Sequence, residues 1–131
     1  MDGAHIPLLA EVYALVREKA KPGFRLYVEL KTALLDLSQS ADPDALAEAA
    51  VALTRDYGLG ETVTFISFDW RALARAKDIA PECRNAFTTL PFWQLDPADP
   101  SASGDKPGST DDLIRTASAA GAPWAAGFDW R

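Results

Sequence analysis

Cysteine, histidine and methionine each occur once in this chain, and that scarcity excludes several chemistries at the outset. Cys83 has no partner for an internal disulfide and no CxxC neighbour for zinc, which leaves it the part of a small, semi-buried loop residue. His5 has no serine, cysteine or metal-ligand cluster spaced around it, so a local hydrogen-bonding role suits it better than catalysis. Long apolar runs are missing too, none approaching the roughly 18 residues of a membrane span. Met1-Asp2-Gly3-Ala4-His5 lacks the basic and apolar regions of a signal peptide, and the cytoplasm is the expected compartment. Basic charge is short: 13 basic residues face 19 acidic ones, and a net charge of -6 argues against nucleic acid or an anionic membrane as partner. No glycine-rich loop opens a helix to cradle a phosphate, since Gly58 and Gly60 precede a strand.

What is present has the make-up of a globular domain, 48% hydrophobic and 24% charged, and 131 residues hold at most one. Pro7 to about Ala20 reads as a helix with Leu8, Leu9, Val12, Leu15 and Val16 at spacings of three and four, stopped by Pro22-Gly23. Phe24 to Lys31 or Thr32 reads as a strand. A second helix spans Pro43 to Tyr57, with Asp42 as N-cap and Leu46, Ala49, Ala50 and Leu53 as its apolar stripe. Thr62 to Phe68 is β-branched and aromatic, a second strand, and Asp69 can cap a helix from Trp70 to Ile79. Arg84 to Thr89 makes a weaker third strand. The stretch 91–109, rich in Pro, Asp, Ser and Gly, reads either as a surface insertion or as a loop over the mouth of a site. A helix from Thr110 to Ala120 and an apolar segment from Pro123 to Trp130 follow. Helices alternating with strands predict an α/β fold with a parallel sheet.

The run Arg25-Leu26-Tyr27-Val28-Glu29-Leu30-Lys31-Thr32 has two unlike faces. Leu26, Val28 and Leu30 fall on one side, Arg25, Tyr27, Glu29 and Lys31 on the other. A carboxylate and an ammonium two residues apart at the C-terminal end of such a strand suit joint binding of a cation and a phosphate, the arrangement expected where a (β/α) barrel strand opens into a site. The plainer alternative is a structural ion pair: at a Cα separation of about 6.5 to 7 Å and an effective dielectric near 20, Glu29 and Lys31 would attract by roughly 2 to 3 kcal/mol. Ser67-Phe68-Asp69 ends the second strand in the corresponding place. Ser67 could border a pocket if its face is the inner one, Phe68 suits core and pocket wall alike, and Asp69 suits an N-cap better than a ligand.

In order, Ile6-Pro7-Leu8-Leu9-Ala10-Glu11-Val12, Tyr27-Val28-Glu29-Leu30-Lys31, Tyr57-Gly58-Leu59-Gly60, Ile66-Ser67-Phe68-Asp69 and Leu73-Ala74-Arg75 before Ala80-Pro81 resemble the glycerophosphodiester phosphodiesterase family. The resemblance covers residues 5 to 81 well and the remainder loosely. It implies a TIM-type (β/α) barrel that hydrolyses glycerophosphodiesters to sn-glycerol 3-phosphate and an alcohol with Mg²⁺ or Ca²⁺. It also implies roles by position: Glu29 as a metal ligand, Lys31 as the phosphate contact, and Ser67 and Phe68 as lining of the pocket.

The family's His-Arg-Gly strand, its Glu-x-Asp ligands and its second histidine precede the Ile-Pro element, and His5 lies too close to that element to match either histidine. Residues 1–131 are therefore expected to form a single partial barrel domain, about half the roughly 250 residues of a complete one. Its general acid and base are not among these residues, so hydrolysis by this chain alone is expected to be negligible. Open sheet edges would favour association of copies. The alternative from another class is a non-catalytic α/β module that uses the same scaffold for binding or assembly.

Overall fold

The computed structural model describes residues 3, 5–33, 37–89 and 125–127. Its elements in chain order are α1 (Leu9–Lys19), β1 (Leu26–Glu29), a 3₁₀ turn (Leu37–Gln39), α2 (Pro43–Asp56), β2 (Val63–Ser67), α3 (Trp70–Ile79), β3 (Arg84–Thr89) and β4 (Ala125–Gly127). The four strands form one sheet in the order β1-β2-β3-β4, and every neighbouring pair is parallel. The predicted loop at 91–109 and the helix at 110–120 lie outside the described residues.

Register sorts the side chains into two layers. Leu26 pairs with Val63 and Val28 with Phe65, while Phe65 pairs with Asn85 and Ser67 with Phe87. That set faces the helices, where Val63, Phe65 and Phe87 pack with Ala47, Ala50 and Val51 of α2 and Ala72, Leu73 and Ala76 of α3. The small alanines let both helices settle close to the sheet and to each other. Arg75 pairs with Glu48 across the two helices, and Arg55 pairs with Glu82 at 2.8 Å. The other face carries Tyr27, Glu29, Thr64, Ile66, Arg84, Ala86 and Thr88. β2 is nearly continuously buried, as a central parallel strand covered on both sides should be, whereas β1 alternates between half-buried and exposed.

Local sequence sets the helix ends. Asp42 accepts from the N–H groups of Asp44 and Ala45, with Pro43 in the first turn, and Asp69 accepts from the N–H of Arg71. Gly58, with φ +66°, provides the left-handed turn that closes α2. Cys83 is buried just before β3, where desolvation raises its thiol pKa and keeps it protonated.

Two apolar stripes differ from the sequence expectation. α1 begins at Leu9 rather than Pro7, its start fixed by the Glu11 carboxylate accepting the Leu8 N–H at 2.7 Å. Its buried centre is Tyr13, with Leu9 and Val16 half-buried against the core, while Leu8 and Leu15 are exposed. The Tyr13 hydroxyl sets this phase. It lies 2.8 Å from Thr54 Oγ1, which itself donates to the Ala50 carbonyl, so Tyr13 is the donor to Thr54. On α2 the buried residues are Pro43, Ala47, Ala50, Val51 and Thr54, with Leu46 and Leu53 half-buried and Ala49 exposed. The stripe is turned so that Thr54 meets Tyr13 and Val51 meets the sheet.

Phe65 sits at the centre of the helix-facing layer with no exposure, so Phe65→Ala should lower unfolding free energy by about 3 to 5 kcal/mol. Tyr13→Phe keeps the ring and loses one buried hydrogen bond, which should cost about 1 kcal/mol. Urea-denaturation midpoints measure both, and equal losses would contradict this placement of the core.

Candidate active site

At the carboxyl ends of β1 and β2 lies a cavity of about 160 Å³ lined by Glu29, Leu30, Lys31, Thr32, Ser67, Phe68 and Asp69. All four residues singled out from the sequence, Glu29, Lys31, Ser67 and Phe68, border it. Active sites of (β/α) barrels form at this end of the strands. Glu29 is the last residue of β1, and Lys31 follows two residues later; both are exposed. Among the described residues no ion pair joins Glu29 to Lys31 or either of them to another group, so the structural pair considered above is not formed.

The floor of the cavity is a network of hydrogen bonds. Ser67 lies on the helix-facing side of β2, fully buried, where its hydroxyl donates to the Leu30 carbonyl at 2.6 Å and accepts from the Asp69 N–H at 2.9 Å. Its face is therefore not the inner one, and its hydroxyl is committed to tying β1, β2 and the start of α3 together. Phe68 is half-buried and forms wall. Asp69 is 1% exposed and its carboxylate is filled: Thr32 Oγ1 donates at 2.7 Å, and the Arg71 guanidinium forks onto both oxygens at 2.9 and 2.8 Å. The Arg71 N–H adds a fourth donor at 3.1 Å. Burial alone would raise the Asp69 pKa, but the bonds from Arg71 and Thr32 outweigh it and hold the carboxyl below its ordinary 3.8.

This settles the N-cap reading of Asp69 and shows what the sequence reading missed. Thr32 and Arg71 are not singled out by the sequence; Arg71, at the second position of α3, forks back onto the N-cap carboxylate. Trp70, between them, packs edge-on against Phe87 with centroids 4.6 Å apart and donates from Nε1 to the Thr88 carbonyl at 3.3 Å. Phe68-Asp69-Trp70-Arg71 is thus a strand-to-helix junction in which every side chain has a structural task. The second Phe-Asp-Trp-Arg, at 128–131, lies outside the described residues. His5 does not line the cavity; its Nε2 lies 3.2 Å from Glu11 Oε2 on the exposed start of α1.

A divalent cation was implied by the sequence resemblance. Among the described residues no three His, Cys, Asp or Glu side chains converge, and Asp69 has no free lone pair to offer. Calcium takes six to eight oxygen ligands and magnesium six. Glu29 by itself does not meet that demand, so the described residues do not fit a resident metal.

No family model matches this chain, and no curated protein matches it in sequence. Among solved structures it is similar to that of a putative glycerophosphodiester phosphodiesterase from Galdieria sulphuraria, with a TM-score of 0.68 and 20% identity. The superposition takes in 97% of this chain and 43% of the other. The chain folds as part of a TIM-type barrel. It spans less than half the length of the solved chain it matches, and the α/β partial barrel expected from the sequence is the architecture observed. Among the described residues of the partial barrel, no helix is long and apolar enough to cross a membrane.

Because the lowered pKa of Asp69 reflects bonds present only in the folded chain, its stabilisation is complete above the ordinary carboxylate range and is lost as the pH falls through the lowered value. Asp69→Asn removes a cap and a forked ion pair at a partly exposed arginine, and should cost about 2 to 3 kcal/mol at neutral pH. The gap between wild type and variant should begin to narrow near the ordinary carboxylate value of about 3.9 and close only once the pH has fallen past the lowered folded value. Denaturation midpoints at pH 7 and in acid check this.

Proposed function

We propose that this chain is the phosphate-binding half of a barrel acting on glycerophosphodiesters, with Lys31 as the phosphate contact and Glu29 as the carboxylate at the same mouth. The observation that carries this reading is the pair itself: two exposed charges of opposite sign, with no ion pair among the described residues, bordering a cavity at the carboxyl ends of parallel strands. The ordered sequence motifs support this reading, and the fold likeness is consistent with it. A lysine ammonium serves a phosphate as a point charge, and Phe68 can pack against the carbon skeleton of a ligand.

Hydrolysis to sn-glycerol 3-phosphate and an alcohol needs more than these residues provide. A phosphodiester step asks for a proton acceptor and donor within hydrogen-bond reach of the reacting oxygens. Among the residues lining the cavity, Asp69 is ionised and saturated by donors, which leaves Glu29 as the single carboxylate able to accept a proton. The dependence on Mg²⁺ or Ca²⁺ that the family resemblance implies belongs, in this reading, to a complete barrel that adds further oxygen ligands around Glu29. A second reading, a non-catalytic α/β binding module on the same scaffold, is favoured by that same lone carboxylate.

The chain should bind sn-glycerol 3-phosphate weakly, with amide chemical-shift changes at residues 29–32 and 67–69, and should show no turnover of a glycerophosphodiester above background. Lys31→Ala should weaken binding by about tenfold, the loss of one charge-assisted contact. Affinity unchanged in Lys31→Ala, or shift changes confined to other parts of the chain, would overturn the assignment.

A further inference from the structure

Beyond Glu29 the chain at the mouth is held mainly by side chains. β1 ends at that residue, and one backbone bond follows, from the Leu30 N–H to the Ile66 carbonyl at 2.8 Å. The Ser67 hydroxyl donates to the Leu30 carbonyl at 2.6 Å, the Thr32 hydroxyl donates to the Asp69 carboxylate at 2.7 Å, and the Ser40 hydroxyl accepts the Ala33 N–H at 2.9 Å. Lys31 stands among these ties, and no ion pair among the described residues holds its ammonium.

The Thr32 bond is the one that governs direction. Leu26, Val28 and Leu30 pack on the helix side, and Thr32 is the next residue of that alternating set. With Thr32 drawn to Asp69, Lys31 is left on the side of Glu29. The anchor is itself fixed: Asp69 is 1% exposed and is gripped by the guanidinium and the N–H of Arg71. A hydroxyl on a carboxylate also makes a stronger bond than two neutral groups do. Thr32 is thus the residue next to Lys31 whose side chain ties the end of β1 to the start of α3.

We infer that Thr32 is a positioning residue for phosphate binding: its hydroxyl, anchored on Asp69, fixes the direction in which Lys31 leaves the strand end. This rests on the reading of Lys31 as the phosphate contact. Thr32 acts through the share of chains whose Lys31 faces the cavity, and the apparent affinity falls with that share.

Thr32→Val keeps the shape of the side chain and loses the hydroxyl. It should weaken binding of sn-glycerol 3-phosphate by about fivefold, the worth of one hydrogen bond, while Thr32→Ser should bind as the wild type does. In a Lys31→Ala chain the same Thr32→Val change should cost nothing further, because nothing is left to position. An undiminished loss in that background would mean that Thr32 acts on the ligand without Lys31 and would overturn the proposal. Tyr13→Phe removes a hydrogen bond buried between α1 and α2 and should leave affinity unchanged. A loss there equal to that of Thr32→Val would trace the effect to general destabilisation and overturn it too. Amide hydrogen exchange reads the same tie without a ligand. Exchange at Leu30 and Ala33, whose N–H groups are bonded in the folded chain, should quicken in Thr32→Val and not in Thr32→Ser. Unchanged exchange in Thr32→Val would contradict the anchor. A chain that shows this exchange pattern but binds no glycerol 3-phosphate would end the functional reading and keep Thr32 as the anchor of Lys31. Binding through Lys31 that Thr32→Val does not weaken would end this proposal alone.

Discussion

The Asp69 carboxylate is the constraint on which the site depends. It sits at the point where β2 turns into α3, almost without exposure, and it holds the end of β1 through Thr32 and the first turn of α3 through Arg71. Ser67 completes the tie by bonding the Leu30 carbonyl. A buried charge is costly unless its lone pairs are filled, and here four donors fill them. The result is that Glu29 and Lys31, which have no ion-pair partners among the described residues, project from a strand end whose position is fixed by their neighbours.

That division of labour separates structure from chemistry within seven lining residues. Ser67 and Asp69, the polar groups most deeply buried, are consumed by the scaffold; Glu29 and Lys31, the exposed ones, remain open to a ligand. The net charge of -6 means that a phosphate is not drawn in from a distance. Affinity must arise at contact, from Lys31 and from whatever else shares the mouth.

The order of elements was legible because alternation of period and the turn residues are local signals. Asp42 and Asp69 as N-caps and the two-faced character of β1 could be read directly. The phase of α1 and α2 could not. It is set by a hydroxyl pair between Tyr13 and Thr54, 41 positions apart, and counting apolar residues favoured Leu8 and Leu15 over a tyrosine that buries itself completely. At the site, residue types marked Glu29 and Lys31, but the face of Ser67 depended on a register with Leu30 and Phe87 that only the assembled sheet supplies. Thr32 and Arg71 escaped notice because their importance lies in a shared acceptor, which no spacing rule reports.

Each strand of this sheet lies beside the strands that adjoin it in sequence. Such a layout is additive: a strand and its helix can be appended or removed at either rim without unthreading what is already built. The loop-closure entropy for each addition is that of a single crossover, not of the whole barrel. Partial versions of this architecture thus need no new fold to exist, only a way to cover the rim they leave bare.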